Sequence, residues 1–167
     1  FFPPDDGTVG FTPHGHPDRR TSLPAFESSL QAAMELAQST DGVVVFKPHP
    51  SFPVERPSHA PENLVIENVD FRRLIDWADI TVTSGSGLGL VARHAGKPVI
   101  NVAADVFQGK SVCIDARDGD FAPAIARAMR HEHDPGEQDN LAIFLGWLMR
   151  HHLVTLDPLD RGWRVAS

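Results

Sequence analysis

Apolar residues follow two spacings along the chain, short continuous runs and longer runs with helical periodicity. Continuous runs of this length are typical of buried parallel strands, and they occur at 1–2, 43–46, 64–66, 80–83, 98–102 and 111–114. The helical spacing i, i+3, i+4 predicts helices over 24–38, 70–78, 90–95, 121–130 and 137–153. Strands that alternate with helices indicate an α/β fold with a doubly wound, mainly parallel, Rossmann-like sheet, in which ligands bind at the carboxyl ends of the strands.

The chain has 167 residues, enough for one domain with a hydrophobic core. We therefore predict a single Rossmann-like domain over residues 1–167. The chain starts with Phe1-Phe2-Pro3-Pro4 and lacks an initiator methionine, so we expect it to be a fragment of a longer protein. Residues 137–167 are expected to form a helical tail that packs on a domain outside this chain.

Composition narrows the classes of partner. The net charge is −7, which argues against a duplex nucleic-acid binder or an anchor on an anionic membrane. No apolar stretch approaches the roughly 20 residues of a membrane span. The single cysteine, Cys113, excludes an internal disulfide framework, fits a reducing compartment and reads as a buried structural thiol.

The main candidate site is the turn Ser84-Gly85-Ser86-Gly87-Leu88-Gly89, which lies between a predicted strand and a predicted helix. Such a turn leaves backbone N–H groups that suit a phosphate, and the two serine hydroxyls add polar contacts. The sequence lacks the Gly-Lys-Ser/Thr of a P-loop, the spacing of the dinucleotide fingerprint and the G-x-S-x-G of a nucleophile elbow. The alternative is a tight turn that serves only close packing of the helix on its strand.

A second candidate is Lys47-Pro48-His49-Pro50, at the carboxyl end of the strand predicted at 43–46. Lys47 supplies a positive charge and His49 a donor for a phosphate oxygen, while the prolines hold the strand exit extended. The alternative is an exposed loop in which these residues occur by chance.

The third candidate is Asp5-Asp6, which precedes Gly7 and could act as a catalytic base or orient sugar hydroxyls; two exposed loop aspartates are an equally good reading. The pair His14-x-His16 has no apparent third ligand, so no metal site is predicted. No cofactor is predicted either.

Several short motifs together resemble the bacterial capsule polysaccharide biosynthesis glycosyltransferases, the GT-B-type β-Kdo transferases that use CMP-Kdo. The matching residues run in order over about 1–115: Asp5-Asp6, Arg20-Thr21-x-Leu23, Lys47-Pro48-His49-Pro50, Ala78-Asp79, Thr83-Ser84, Ser86-x-x-Gly89 and Gly96-Lys97-Pro98-Val99. The most specific pieces are the Lys-Pro-His-Pro and the Gly-Lys-Pro-Val segments.

This resemblance implies that the chain is the donor-binding, C-terminal half of a GT-B-type enzyme, a nucleotide-sugar-binding domain. It implies that Lys47, His49 and the turn Ser84–Gly87 contact the CMP, and that a glycan or glycolipid acceptor is bound through the missing domain. The implied location is the cytoplasm, peripherally at the inner membrane. The chain departs from the family at Val91, where a glutamate is usual, and this leaves the nucleotide open.

Two alternatives stand beside this interpretation. A UDP-N-acetylglucosamine 2-epimerase-like enzyme also carries a serine/glycine turn before a Gly-Lys-Pro-Val segment, but it needs acidic and arginine residues after the next strand, which 103–106 supplies poorly. The other alternative is a nucleotide-binding module without catalysis, which Val91 allows.

Overall fold

In the computed structural model, the described residues are 23, 25–48, 53–105, 107, 109–130, 136–151, 156–159 and 162–165. Several of the features named from the sequence lie outside them, including the strand at 1–2, the pair Asp5-Asp6, His14-x-His16, Arg20-Thr21 and His49-Pro50.

The described residues form a mixed α/β fold with short parallel strands. The helices are α1 (Ser29–Gln38), α2 (Phe71–Trp77), α3 (Leu88–His94), α4 (Phe121–Met129) and α5 (Glu137–His151). The strands are β1 (Val44–Phe46), β2 (Leu64–Ile66), β3 (Thr81–Thr83), β4 (Val99–Asn101), β5 (Ile114–Asp115), β6 (Leu156–Leu159) and β7 (Gly162–Val165). β1 pairs with β2 in parallel, β3-β4-β5 form a second parallel sheet, and β6 and β7 form an antiparallel pair. The predicted α/β class is therefore confirmed.

Helix α1 joins the two parallel sheets. It begins later than proline 24 because Ser28 caps it, with the Ser28 Oγ accepting the Gln31 N–H at 3.1 Å. One side of the helix, at Ala32, belongs to the core over β4 and β5, whereas Ala33 and Ala37 pack with the β1–β2 sheet. These small side chains, which lie on two sides of the helix, let α1 contact both sheets.

The β3–α3–β4 unit follows the predicted order. α3 ends at His94 with Ala95 as its C-cap, and Gly96 follows with a φ of +79°, the left-handed conformation that favours glycine just past a helix end. The Lys97 N–H donates to the Ala92 carbonyl at 3.0 Å and closes this end of the helix. The chain then turns directly into β4, whose Val99 and Ile100 side chains are buried.

The segment 137–167, predicted as a helical tail, is helical only in its first part. α5 covers Glu137–His151, and two strands follow at 156–159 and 162–165. Pro158 accounts for the lack of helix at 157–158, since it cannot continue a helix and disfavours helical backbone at the residue before it.

The predicted strand at 111–114 is shorter and shifted, covering only Ile114–Asp115. Ser111 accounts for the difference because its φ of +51° is incompatible with a strand.

Among the described residues, no helix is both long and apolar enough to span a bilayer.

Candidate functional site

Thr83, the last residue of β3, contacts both ends of the turn that follows this strand. Its side chain is buried, with 5% of its surface exposed, and its Oγ1 accepts the Ser86 N–H at 3.1 Å. Gly89 lies against the same side chain, because a Cβ built on Gly89 would come within 2.9 Å of the Thr83 Cγ2. Only glycine allows α3 to start this close to β3.

Some polar groups of the turn form hydrogen bonds that maintain its shape, whereas others remain available to a ligand. The Ser86 N–H is used by Thr83, and the Ser86 Oγ accepts the Leu88 N–H at 3.2 Å. Gly85 has a φ of +85°, in the left-handed region that favours glycine. Within the part of the chain that the structure describes, the N–H groups of Gly85 and Gly87 have no acceptor. These two amides are therefore available to donate to an anion.

The hydroxyl of Ser84 lies beside a residue that the sequence did not point to. Ser29, the first residue of α1, places its Oγ 3.2 Å from the Ser84 Oγ. Both side chains are half-buried, so neither is sealed from solvent. Since 55 positions separate the two serines, only the packing of α1 brings them together.

The direction of α1 places Lys47 on the same side of the sheets as the turn. At the C-terminal end of α1, the Asn63 Nδ2, just before β2, donates to the carbonyls of Ala37 and Thr40 at 2.9 Å each. That end of α1 therefore lies at the amino ends of β1 and β2, while its first residue contacts Ser84 beyond the carboxyl end of β3. Lys47 follows the carboxyl end of β1, and its Nζ donates to the Asn68 Oδ1 at 2.8 Å.

The loop after β4 forms a third segment at this edge, and sequence reasoning missed it. Asn101 pairs with Thr83 in the β3–β4 register and is buried. Its Nδ2 donates to the Ala103 carbonyl at 2.9 Å and to the Asp105 Oδ1 at 3.1 Å. The same oxygen accepts the Phe107 N–H at 2.8 Å, so the two side chains fix the shape of the loop.

Asp105 is the titratable group of this loop whose environment is most unfavourable to charge. Its Oδ2 is buried and has no hydrogen-bond partner among the described residues. Burial raises the pKa of the Asp105 carboxyl, although the hydrogen bonds from Phe107 and Asn101 oppose the shift. An Asn-x-x-x-Asp spacing after a strand was the available signal for this cluster.

Asp115, at the end of β5, has the opposite electrostatics. The Arg117 Nη2 lies 2.6 Å from its Oδ2, and the hydrogen bonds from the Arg117 side chain hold the pKa of Asp115 below its ordinary value. Both side chains are partly exposed. This ion pair closes the loop after β5 and offers no unpaired charge to a ligand.

The Gly-Lys-Pro-Val segment lies at the opposite edge of the sheet from the turn. The Pro98 carbonyl accepts the Thr81 N–H at 3.0 Å, and the Lys97 Nζ donates to the Asp76 carbonyl at 3.1 Å. The first contact is at the amino ends of β3 and β4, and the second is with the last turn of α2, which precedes β3. The segment therefore connects α3 to β4 and lines a surface cleft of about 320 Å³ there, rather than contributing to the site around Ser84.

Val91, the departure noted in the sequence, lies on the outer side of α3 and is 46% exposed. Two residues later the same helix carries Arg93, which is only 2% exposed. The two positions therefore face different surroundings, and Val91 presents no polar atom to a ligand.

The predicted site residues thus fall into two groups. Lys47 and the turn Ser84–Gly87 lie on one side of the parallel sheets, whereas His49, Asp5 and Asp6 are outside the described residues. Comparison of the chain with protein-family models, with curated proteins and with solved structures gave no match.

Proposed function

We propose that the chain is the donor-nucleotide half of a GT-B-type glycosyltransferase, a doubly wound Rossmann-like domain that binds a CMP-activated, Kdo-like sugar for capsule or surface polysaccharide synthesis. The observation that carries this proposal is the turn after β3. It offers the amides of Gly85 and Gly87 and the hydroxyl of Ser84 on one side of the sheets. Amides and hydroxyls at the carboxyl end of a parallel strand are suited to a phosphate.

Lys47 adds the positive charge that this neutral turn lacks. It follows β1 on the same side, where Asn68 holds its ammonium group through one of its three protons. His49, two residues on, would supply a further donor. During transfer of the sugar, these groups would stabilise the negative charge that grows on the leaving nucleotide phosphate, which is electrostatic catalysis.

The remaining parts of the proposal come from the resemblance. Asp5 or Asp6 would face the sugar as the catalytic base, and the acceptor glycan or glycolipid would be held by a domain outside this chain. We place the complete enzyme in the cytoplasm, peripherally at the inner membrane.

Calorimetric titration of the chain with CMP, CDP, UDP and ADP tests the proposal. We expect cytidine nucleotides to bind more tightly than the other two, and Lys47→Gln and His49→Ala each to weaken CMP binding about ten-fold or more, as expected for hydrogen bonds to a charged group. Lys97→Gln is the matched control, because this lysine carries the same charge and lies at the opposite edge of the sheet from the turn, where its Nζ donates to the Asp76 carbonyl. A preference for UDP would favour the epimerase-like alternative, and no binding of any nucleotide would refute both.

A further inference from the structure

Ser29 is a polar residue of the candidate site that neither the motifs nor the resemblance includes. Its Oγ lies 3.2 Å from that of Ser84, a separation at which one hydroxyl donates to the other. Each hydroxyl has one proton and two acceptor lone pairs. The pair therefore uses one proton internally and keeps the other for a ligand.

Neither hydroxyl has a second partner within the described residues. This distinguishes them from the neighbouring serines at the two helix starts, since the Ser28 Oγ accepts the Gln31 N–H and the Ser86 Oγ accepts the Leu88 N–H. Ser28 and Ser86 shape the backbone, whereas Ser29 and Ser84 hold only each other. A ligand can replace their mutual bond through rotation of the hydroxyls alone, because a hydroxyl rotates to suit its acceptor.

We propose that Ser29 is a second phosphate-binding hydroxyl, which acts with Ser84 on the same phosphate group of the bound nucleotide; this rests on the proposed function. An O–H···O⁻ bond extends about 2.5–2.7 Å, so two hydroxyls at this separation can reach one phosphate together. On binding, the proton that joins the two hydroxyls turns to one phosphate oxygen, and the other hydroxyl donates its own proton to a second phosphate oxygen. The phosphate is then held by hydroxyls from two elements, α1 and the turn after β3.

Calorimetry with CMP and with cytidine, which lacks the phosphate, tests this assignment on Ser29→Ala, Ser84→Ala and the double variant. We expect each single variant to weaken CMP binding roughly five- to ten-fold and to leave cytidine binding unchanged. Because Ser29 contacts the phosphate itself, its effect should persist in the Ser84→Ala background. Ser39→Ala, at the other end of α1, is the matched control and should bind CMP as the unchanged protein does.

The outcomes separate the two proposals. If Ser84→Ala weakens CMP binding and Ser29→Ala does not, or if the Ser29 effect disappears once Ser84 is replaced, direct contact by Ser29 is refuted while the proposed function stands. If the unchanged chain binds no nucleotide, both are refuted. Thermal melting of each variant identifies any that is unfolded. If Ser29→Ala is unfolded, Ser29→Thr, which keeps a hydroxyl, and Ser29→Val, which does not, replace it. Retained CMP affinity in Ser29→Thr together with loss in Ser29→Val supports the contact, and equal affinity in the two refutes it.

Discussion

Replacing Gly89 by alanine should destabilise the protein because the new methyl group has no room. Its Cβ would lie 2.9 Å from the Cγ2 and 3.3 Å from the Cβ of Thr83, and Thr83 is buried at the end of β3. Overpacking of this kind costs about 1–3 kcal/mol. Alanine recovers at most about 1 kcal/mol through its higher helix propensity. We therefore expect a net loss of up to about 2 kcal/mol in the free energy of unfolding, measured by urea denaturation.

A second substitution identifies the contact responsible. Thr83→Ser keeps the hydroxyl that accepts the Ser86 N–H but removes the methyl group nearest to the new Cβ. In the double variant Gly89→Ala/Thr83→Ser the two effects should therefore not add, and the coupling should be about 1 kcal/mol or more in favour of the double variant. Gly87→Ala is the control, since a Cβ there meets no atom within 4 Å. Equal stability of Gly89→Ala and Gly87→Ala, or simple additivity in the double variant, would refute the argument.

Substitutions at three further positions test the loops after β4 and β5 and the contact that fixes the end of α1. Burial raises the pKa of Asp105, so the stability that its carboxyl contributes is fully present below about pH 4 and is lost as pH rises through the folded-state pKa. In urea unfolding, the stability of Asp105→Asn relative to the unchanged protein should therefore increase with pH. A difference in stability that does not depend on pH would contradict this. Asp115→Asn should show the opposite trend, because the lowered pKa of Asp115 stabilises the fold above about pH 4. Asn63→Ala should lower the free energy of unfolding by about 1–3 kcal/mol, because the Asn63 amide donates to three carbonyls at the end of α1. Asn63→Asp keeps the size of the side chain but has no protons to donate, so it should be no more stable than Asn63→Ala. Unchanged urea midpoints would show that these bonds contribute nothing to stability.

Local features of the fold could be read from the sequence because their causes are local. Asp70 caps α2 by accepting the Arg72 N–H at 2.8 Å, and the apolar spacing that follows it predicted this helix. Gly96 ends α3 for the same kind of reason. Pro158 is an equally local signal, and it argues against a helical tail at this position.

The remaining features depend on contacts between distant parts of the chain. No periodicity connects Ser29 with Ser84, and none connects Asn63 with the end of α1, since 55 and 26 residues respectively separate these partners. The loop that carries Asp105 is likewise fixed from a distance, since its Phe107 packs against Phe144 of α5. The sequence could therefore indicate that the turn after β3 suits an anion, but not which side chains from other elements lie beside it.

Because of helix α1, the geometry of the candidate site depends on residues far from it. The helix is fixed at one end by the Asn63 bonds and along its length by Ala33 and Ala37 against the β1–β2 sheet, while its other end carries Ser29 to the turn. Lys47 belongs to the β1–β2 sheet and Ser84 to the other one. Because α1 packs on both, the distance between the ammonium group and the turn is set by the small side chains on its two faces. The packing of α1 is therefore what would make a phosphate site out of groups that belong to separate sheets.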